Sequence, residues 1–262
     1  MNPQGDYKTL RVSRSGPAIT ISIHRPEQRN SINETLLSEM QIALDEAERD
    51  TQNRVIVLTG SGGENVFCTG MDFESLANEP TGSSQGPDTA AYMALLKRFT
   101  AIPRIVIAKV EGAVMAGGVG IVAASDLVFA SPKATFTLSE ALWGLLPAMV
   151  TPFLIRRVGF QKAYAMTLTT RSVSASEALS MGLADAVADD PGIEIQANIR
   201  RMARLDTRTV GDMKAFFRKM WFVTEAMETT AVEELGRLMR EPRVRKNIRD
   251  YVELGKLPWE QW

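Results

Sequence analysis

The chain has 262 residues, enough to bury a sizeable core in one large domain with an appendage. With 30 Lys and Arg against 31 Asp and Glu, the net charge of −1 gives no bulk field for nucleic acid or an anionic membrane. No apolar run approaches the ~20 residues of a membrane-spanning helix, and a single cysteine, Cys68, excludes an intrachain disulfide and, with one histidine, a zinc site of the usual kind. The expectation is a cytoplasmic protein without nucleic-acid, membrane or metal partners.

Residues 7–12 and 17–24 are β-like runs joined by a Gly-Pro turn, and Pro26 ends the second because it has no N–H for a ladder. His24 at that strand end reads as a hydrogen-bonded or surface residue, and Cys68 as a small core residue. Arg25 is open to two readings, a phosphate contact or a pair with an acid. Asn33 caps a helix to about Asp50 that places Leu37, Met40, Leu44 and Ala47 on one face. Val55–Thr59 is a buried strand. The glycine cluster after it lacks the Gly-Lys-Ser/Thr of a nucleotide-binding P-loop.

In the run Phe67-Cys68-Thr69-Gly70-Met71-Asp72, Gly70 permits a tight turn and Asp72 caps a short helix, which frees backbone N–H groups around Met71. Residues 79–88 read as a loop suited to a lid. A helix from about Thr89 to Thr100 carries Tyr92 in an apolar stripe. The strand Ile105–Val110 leads into Ala116-Gly117-Gly118-Val119-Gly120, where a helix starts with almost no side chain in the way of a ligand. The free N–H groups at that helix start suit an anion or a developing oxyanion. Thr135–Leu138 is a strand that delivers Ser139-Glu140, with Leu138, Leu142 and Trp143 as an apolar neighbourhood that raises a carboxyl pKa. An oxyanion cradle beside one such carboxyl is a kit for moving a proton next to a carbonyl. Helices follow at about 149–158, 160–169 and 174–181, then a small strand at Leu183–Val187. From about residue 191 the chain is nearly all helical, so the fold class is layered α/β with a C-terminal helical subdomain.

Five stretches taken together resemble the crotonase superfamily, the enoyl-CoA hydratases and isomerases: HRPEQRNSIN, FCTGMDF, AKVEGAVMAGGVGIVAASDLVFA, TFTLSEALWGLLP and SVSASEALSMGLADAV. The resemblance implies a spiral of ββα units over residues 1–190 and a helical trimerisation subdomain over 191–262, building a homotrimer or a dimer of trimers. It places the oxyanion hole on the N–H groups of Met71 and Gly117, with Thr69, Gly70 and Gly118 among the substrate-binding positions. No cofactor is implied beyond the phosphopantetheine arm, on acyl carrier protein or coenzyme A, that carries the substrate. The hydratases' two glutamates fall on Gly120, which has no side chain, and on Glu140, which leaves one carboxylate. The block after Glu140 and the ending DYVELGKLPWEQW resemble the dehydratases of polyketide β-branching cassettes, which act on 3-hydroxy-3-methylglutaryl groups on acyl carrier protein. Tyr92, then Arg156, are the nominees for the substrate's distal carboxylate, and Arg25 for a phosphate. The alternatives are an acyl-CoA hydratase or isomerase, the decarboxylating sister enzyme, and a non-catalytic scaffold that binds the carrier protein.

Overall fold

The computed structural model describes residues 7–62, 65–77, 89–221 and 224–261. Strands β1 (Leu10–Ser15) and β2 (Ala18–Ile23) pair as a hairpin with Leu10 opposite Ile23. Its turn places Gly16 at φ +54, which a residue without Cβ enters freely. Helix α1 (Glu34–Arg49) begins where Asn33 Oδ1 accepts the Leu36 N–H at 2.9 Å, as its sequence position predicts. Leu36, Leu37, Met40, Ala43, Leu44 and Ala47 then form its buried stripe.

From there the chain repeats a unit. The first is β3 (Val55–Gly60), β4 (Val66–Cys68), α2 (Phe73–Ala77) and α3 (Thr89–Phe99). The second is β5 (Ile105–Val110), β6 (Ala113–Met115) and α4 (Gly117–Ala124), and the third β7 (Leu127–Ala130), β8 (Thr135–Thr137) and α5 (Glu140–Trp143). Next come α6 (Thr151–Val158), α7 (Phe160–Thr169), β9 (Val173–Ser174), α8 (Ala175–Met181) and β10 (Ala186–Val187). The chain continues with α9 (Pro191–Met202), α10 (Thr207–Met220), α11 (Glu225–Met239) and α12 (Pro242–Leu254).

One sheet runs β1-β2-β3-β5-β7-β10 and the other β4-β6-β8-β9. Each unit therefore gives its first strand to the larger sheet and its second to the smaller, which is a spiral of ββα turns. Parallel neighbours demand such crossovers, because no tight turn joins them. Burial on both faces explains why β3 is apolar over residues 55–58. Ile56 and Leu58 enter the main core, while Val55 and Val57 meet Ile195 and Ile199 of α9 on the opposite face.

Two stretches differ from the sequence reading. Leu183 and Ala184 are not in a strand, since their N–H groups turn back to the Ala178 carbonyl at 2.8 and 3.1 Å and close α8. Leu142 and Trp143, in a stretch whose sequence reads as an apolar turn, belong to α5, which stops at Gly144 with φ +82. The lid expected at 79–88 lies outside the described residues. No described helix is long and apolar enough to cross a membrane. Helices of the tail reach the front of the molecule: α11 packs on α3, and α12 on α2 and α5.

Candidate active site

Main-chain pairing explains how Met71 comes to offer its N–H. Ile32 donates to the Gly70 carbonyl at 2.7 Å and accepts from the Asp72 N–H at 3.0 Å, an isolated parallel bridge. In a parallel bridge the residue between those two partners points its own N–H the other way. Among the described residues the Met71 N–H has no intramolecular acceptor, and Met71 lines a cavity of about 870 Å³. Asp72 then caps α2, accepting the Ser75 N–H at 3.2 Å.

The second donor is set by strain. Ala116 holds φ +46 and ψ −120, a conformation costly for a residue with a Cβ, and it turns β6 abruptly into α4. Its N–H is fixed to the Thr137 carbonyl at 2.9 Å. Gly117, the first residue of α4, has no acceptor for its N–H among the described residues and lies on the cavity wall, at the positive end of an eight-residue helix. The two turns touch. A Cβ on Gly70 would stand 2.7 Å from Ala116 Cβ and 3.0 Å from the Gly117 nitrogen, so only glycine brings the donors this close.

The same Ala116–Thr137 bond ties the helix start to the strand that delivers Glu140. Among the acids of the cavity wall, Glu27, Glu34 and Glu74 are exposed and Asp72 is ion-paired. Glu140 is half-buried as a residue, but its carboxyl end is enclosed and Oε2 has no hydrogen-bond partner. That burial pushes its pKa up to about 7, against a smaller lowering from its own N–H. Leu138 and Trp143 are buried around it as expected. Leu142 is not, being 37% exposed; Leu145 and Val150 take its place on the cavity wall. From the tail, Tyr251 closes an aromatic cluster, with Phe73 and Trp143 ring centres 4.8 Å apart and Trp143 and Tyr251 5.1 Å apart.

Tyr92 and Thr69 line the cavity, and Thr69 Oγ1 donates to the Arg29 carbonyl at 3.1 Å. The Tyr92 hydroxyl is spent inside the protein, donating to the Gly117 carbonyl. Gly70 and Gly118 are packing positions rather than cavity lining. A Cβ on Gly118 would meet the Cys68 carbonyl at 2.6 Å. Arg25 is not on the cavity wall either: it pairs with Asp72 at 2.7 Å and donates to Ser31 Oγ at 3.0 Å, so of its two readings the acid pair is the one formed. Arg156 sits at the far end of α4, donating to the Ala123 and Ser125 carbonyls at 2.8 and 3.2 Å, with its guanidinium 5.2 Å from the Trp221 ring centre. Its charge is used to cap that helix. His24 Nδ1 meets Ser61 Oγ at 3.2 Å, and burial pushes the Cys68 thiol up to about 12, which suits a core residue and not a nucleophile. No described His, Cys, Asp and Glu cluster has the makings of a metal site.

Ile32 and Ala116 were not singled out from sequence, yet they orient the two donors. A buried apolar residue between two turn residues was the available sign for Ile32; a left-handed alanine leaves none.

The enoyl-CoA hydratase/isomerase family matches residues 14–262. Bacillaene synthase dehydratase PksH of Bacillus subtilis is 36% identical, over 97% of this chain and 97% of its own. Enoyl-CoA hydratase EchA19 of Mycobacterium tuberculosis is 34% identical over 68% of each. The crystal structure of PksH from Bacillus subtilis superimposes with a TM-score of 0.91 at 36% identity, covering 96% of this chain and 100% of its own. An enoyl-CoA hydratase from Mycobacterium avium gives 0.81 at 25%, covering 96% and 99%. With the two donor turns and Glu140 in place on a ββα spiral, the chain belongs to the enoyl-CoA hydratase/isomerase family and is an enzyme of the crotonase type.

Proposed function

We propose that this enzyme removes water from a 3-hydroxy-3-methylglutaryl group on acyl carrier protein, giving the 3-methylglutaconyl thioester during polyketide β-branching. The observation that carries the reading is a single enclosed carboxyl, Glu140, on the wall of the same cavity as the Met71 and Gly117 N–H groups, which have no acceptor among the described residues, with glycine at position 120. The likeness to PksH, a bacillaene synthase dehydratase, supports the polyketide setting.

The chemistry needs only proton transfer. Glu140 takes the C2 proton, and the electron pair moves onto the thioester oxygen between the Met71 and Gly117 N–H groups. The pair then returns to form the C2–C3 double bond as the C3–O bond breaks, and the proton on Glu140 leaves with the hydroxyl as water. One carboxyl ends as it began. A group that is base and then acid works best with a pKa near the working pH, where burial has put this one. Each oxyanion donor is worth ~10²–10³ in rate, roughly 2.7–4 kcal/mol. Thr69 and the exposed Arg29, both on the cavity wall, are suited to the carrier arm. Exposed apolar stripes on α7 (Phe160, Tyr164, Leu168) and α10 (Met213, Phe216, Phe217, Met220) favour a homotrimer.

The test is mass spectrometry of an acyl carrier protein loaded with 3-hydroxy-3-methylglutarate. Loss of one water, abolished by Glu140→Gln, is the expected result. Loss of water and carbon dioxide together would assign the sister reaction too. An unchanged carrier, with turnover of a plain enoyl-CoA, would replace this reading by that of an ordinary hydratase or isomerase.

A further inference from the structure

The Tyr92 hydroxyl lies in the crook of the first turn of α4. It donates to the Gly117 carbonyl, and a Cβ built on Gly120 would stand only 2.2 Å from it. The other neighbours of that Cβ are movable side-chain ends, Val150 Cγ2 at 3.1 Å and Leu96 Cδ1 at 3.3 Å. The tyrosine is anchored by the helix that carries it. Its residue is 6% exposed, on a helix whose Leu95, Leu96 and Phe99 are fully in the core. A Cβ on Gly117 would also come within 3.4 Å of the same oxygen. The hydroxyl therefore fills the space into which a side chain at 120 would grow, and it holds the peptide unit that follows Gly117 by its carbonyl. The Gly117 N–H belongs to the same residue, so that contact limits how the N–H swings.

We propose that Tyr92 and Gly120 form one unit: the phenol braces Gly117 so that its N–H meets the developing oxyanion, and it excludes from position 120 the second carboxylate that hydration of an enoyl thioester would use. Tyr92 is thus a positioning and specificity-determining residue that acts through Gly117 rather than by touching the substrate's carboxylate. The inference rests on the one-carboxyl reading of the site and names the group that enforces it.

Enolate formation can be read without dehydration. A 3-methylglutaryl thioester on the same carrier has no leaving hydroxyl. Its C2 hydrogen passes to Glu140 and a deuteron returns from D2O, so mass gain reports the oxyanion hole and the base alone. In Tyr92→Phe, exchange and dehydration kcat are expected to fall about tenfold or more, while KM and the melting temperature change little. KM rising with kcat unchanged would instead make Tyr92 a substrate ligand and overturn the proposal. The pairing is tested by a double-mutant cycle read in thermal unfolding and exchange. Gly120→Ala is expected to be harmful in the wild-type background and much less so in Tyr92→Phe, because the blocking oxygen is gone. Additive effects would overturn the unit. A wild type that exchanges C2 but never loses water defeats the dehydratase reading and leaves the Tyr92→Phe result decisive. A wild type that does neither defeats both.

Discussion

The Arg25 guanidinium holds the Asp72 carboxylate at 2.7 Å, with both side chains about nine-tenths buried, one residue beyond Met71, the proposed oxyanion donor. The pair joins the end of β2 to the turn that presents Met71, and the same guanidinium also grips the Ser31 carbonyl, next to Ile32. Removing one partner strands the other in a poorly solvated place. Arg25→Met is expected to cost about 3–5 kcal/mol of stability and to lower kcat, because the Met71 turn loses its tether. Arg25→Met with Asp72→Asn should recover much of the stability. Chemical denaturation of the wild type and both variants checks this, and an Arg25→Met as stable as wild type would refute it.

That pair also carries a pH dependence. Burial raises the Asp72 pKa, but the Arg25 hydrogen bond, the Ser75 N–H and the Arg25 charge outweigh it, and the net direction is down. A depressed carboxyl contributes stability that is present above its unfolded value, about 3.9, and lost as pH falls through the folded value. The stability gap between wild type and Arg25→Met should therefore be full above about pH 4 and narrow as the pH falls further.

Glu140 runs the opposite way. Burial lifts its folded pKa to about 7, above the ordinary carboxyl value, so the folded state binds the proton more tightly. Between the two values stability falls as pH rises. Glu140→Gln is expected to be more stable than wild type at pH 8 by roughly 1–3 kcal/mol and nearly equal to it at acid pH. For catalysis the carboxylate must be free at the start, so kcat should climb through about pH 7. Glu140→Gln should lose about 10²–10⁴ in rate. A pH–rate profile flat from 5 to 8 would show that Glu140 is not the base.

How far the sequence told this in advance depends on how local each signal is. Glu140 was visible because an acid at the end of an apolar strand is conspicuous, and Gly117 because a glycine-led helix start is a local pattern. The free N–H at Met71 was expected from its turn, but what aims it is a bridge to Ile32, remote in sequence. Arg25 chose between two readings only when Asp72, 47 residues on, was folded against it. Tyr92 was read as core with a possible polar duty; the clash with Gly120 that gives its hydroxyl a meaning is a distance across two helices, which no spacing rule contains.

Gly70 is where the two donor turns are pressed together. Alanine there has two costs: a φ of +85, and a methyl 2.7 Å from Ala116 Cβ and 3.0 Å from the Gly117 nitrogen. Gly70→Ala is expected to destabilise by about 1–3 kcal/mol and to reduce kcat more than KM, because relief requires the two N–H groups to move apart. Gly118→Ala, whose nearest contacts all fall on Cys68, is the control for a steric change that does not press on Ala116 or the Gly117 nitrogen. If both variants lost kcat to the same degree, core damage would account for the effect without the oxyanion hole.

Arg156 offers the sharpest separation of stability from recognition. Its side chain ends on the carbonyls of Ala123 and Ser125 and on the Trp221 ring, at the C-terminal end of a helix whose N-terminal end is the site. Eight residues of α-helix put about 12 Å between those ends, so the guanidinium does not share the cavity. Arg156→Met leaves two carbonyls short of a donor and removes a cation–π contact, together about 2–3 kcal/mol. The melting temperature should fall while KM for the carboxylate-bearing substrate stays within about twofold. If KM rose about tenfold at an unchanged melting temperature, Arg156 would have to reach the substrate's distal carboxylate after all, and α4 would need a second arrangement in the working enzyme.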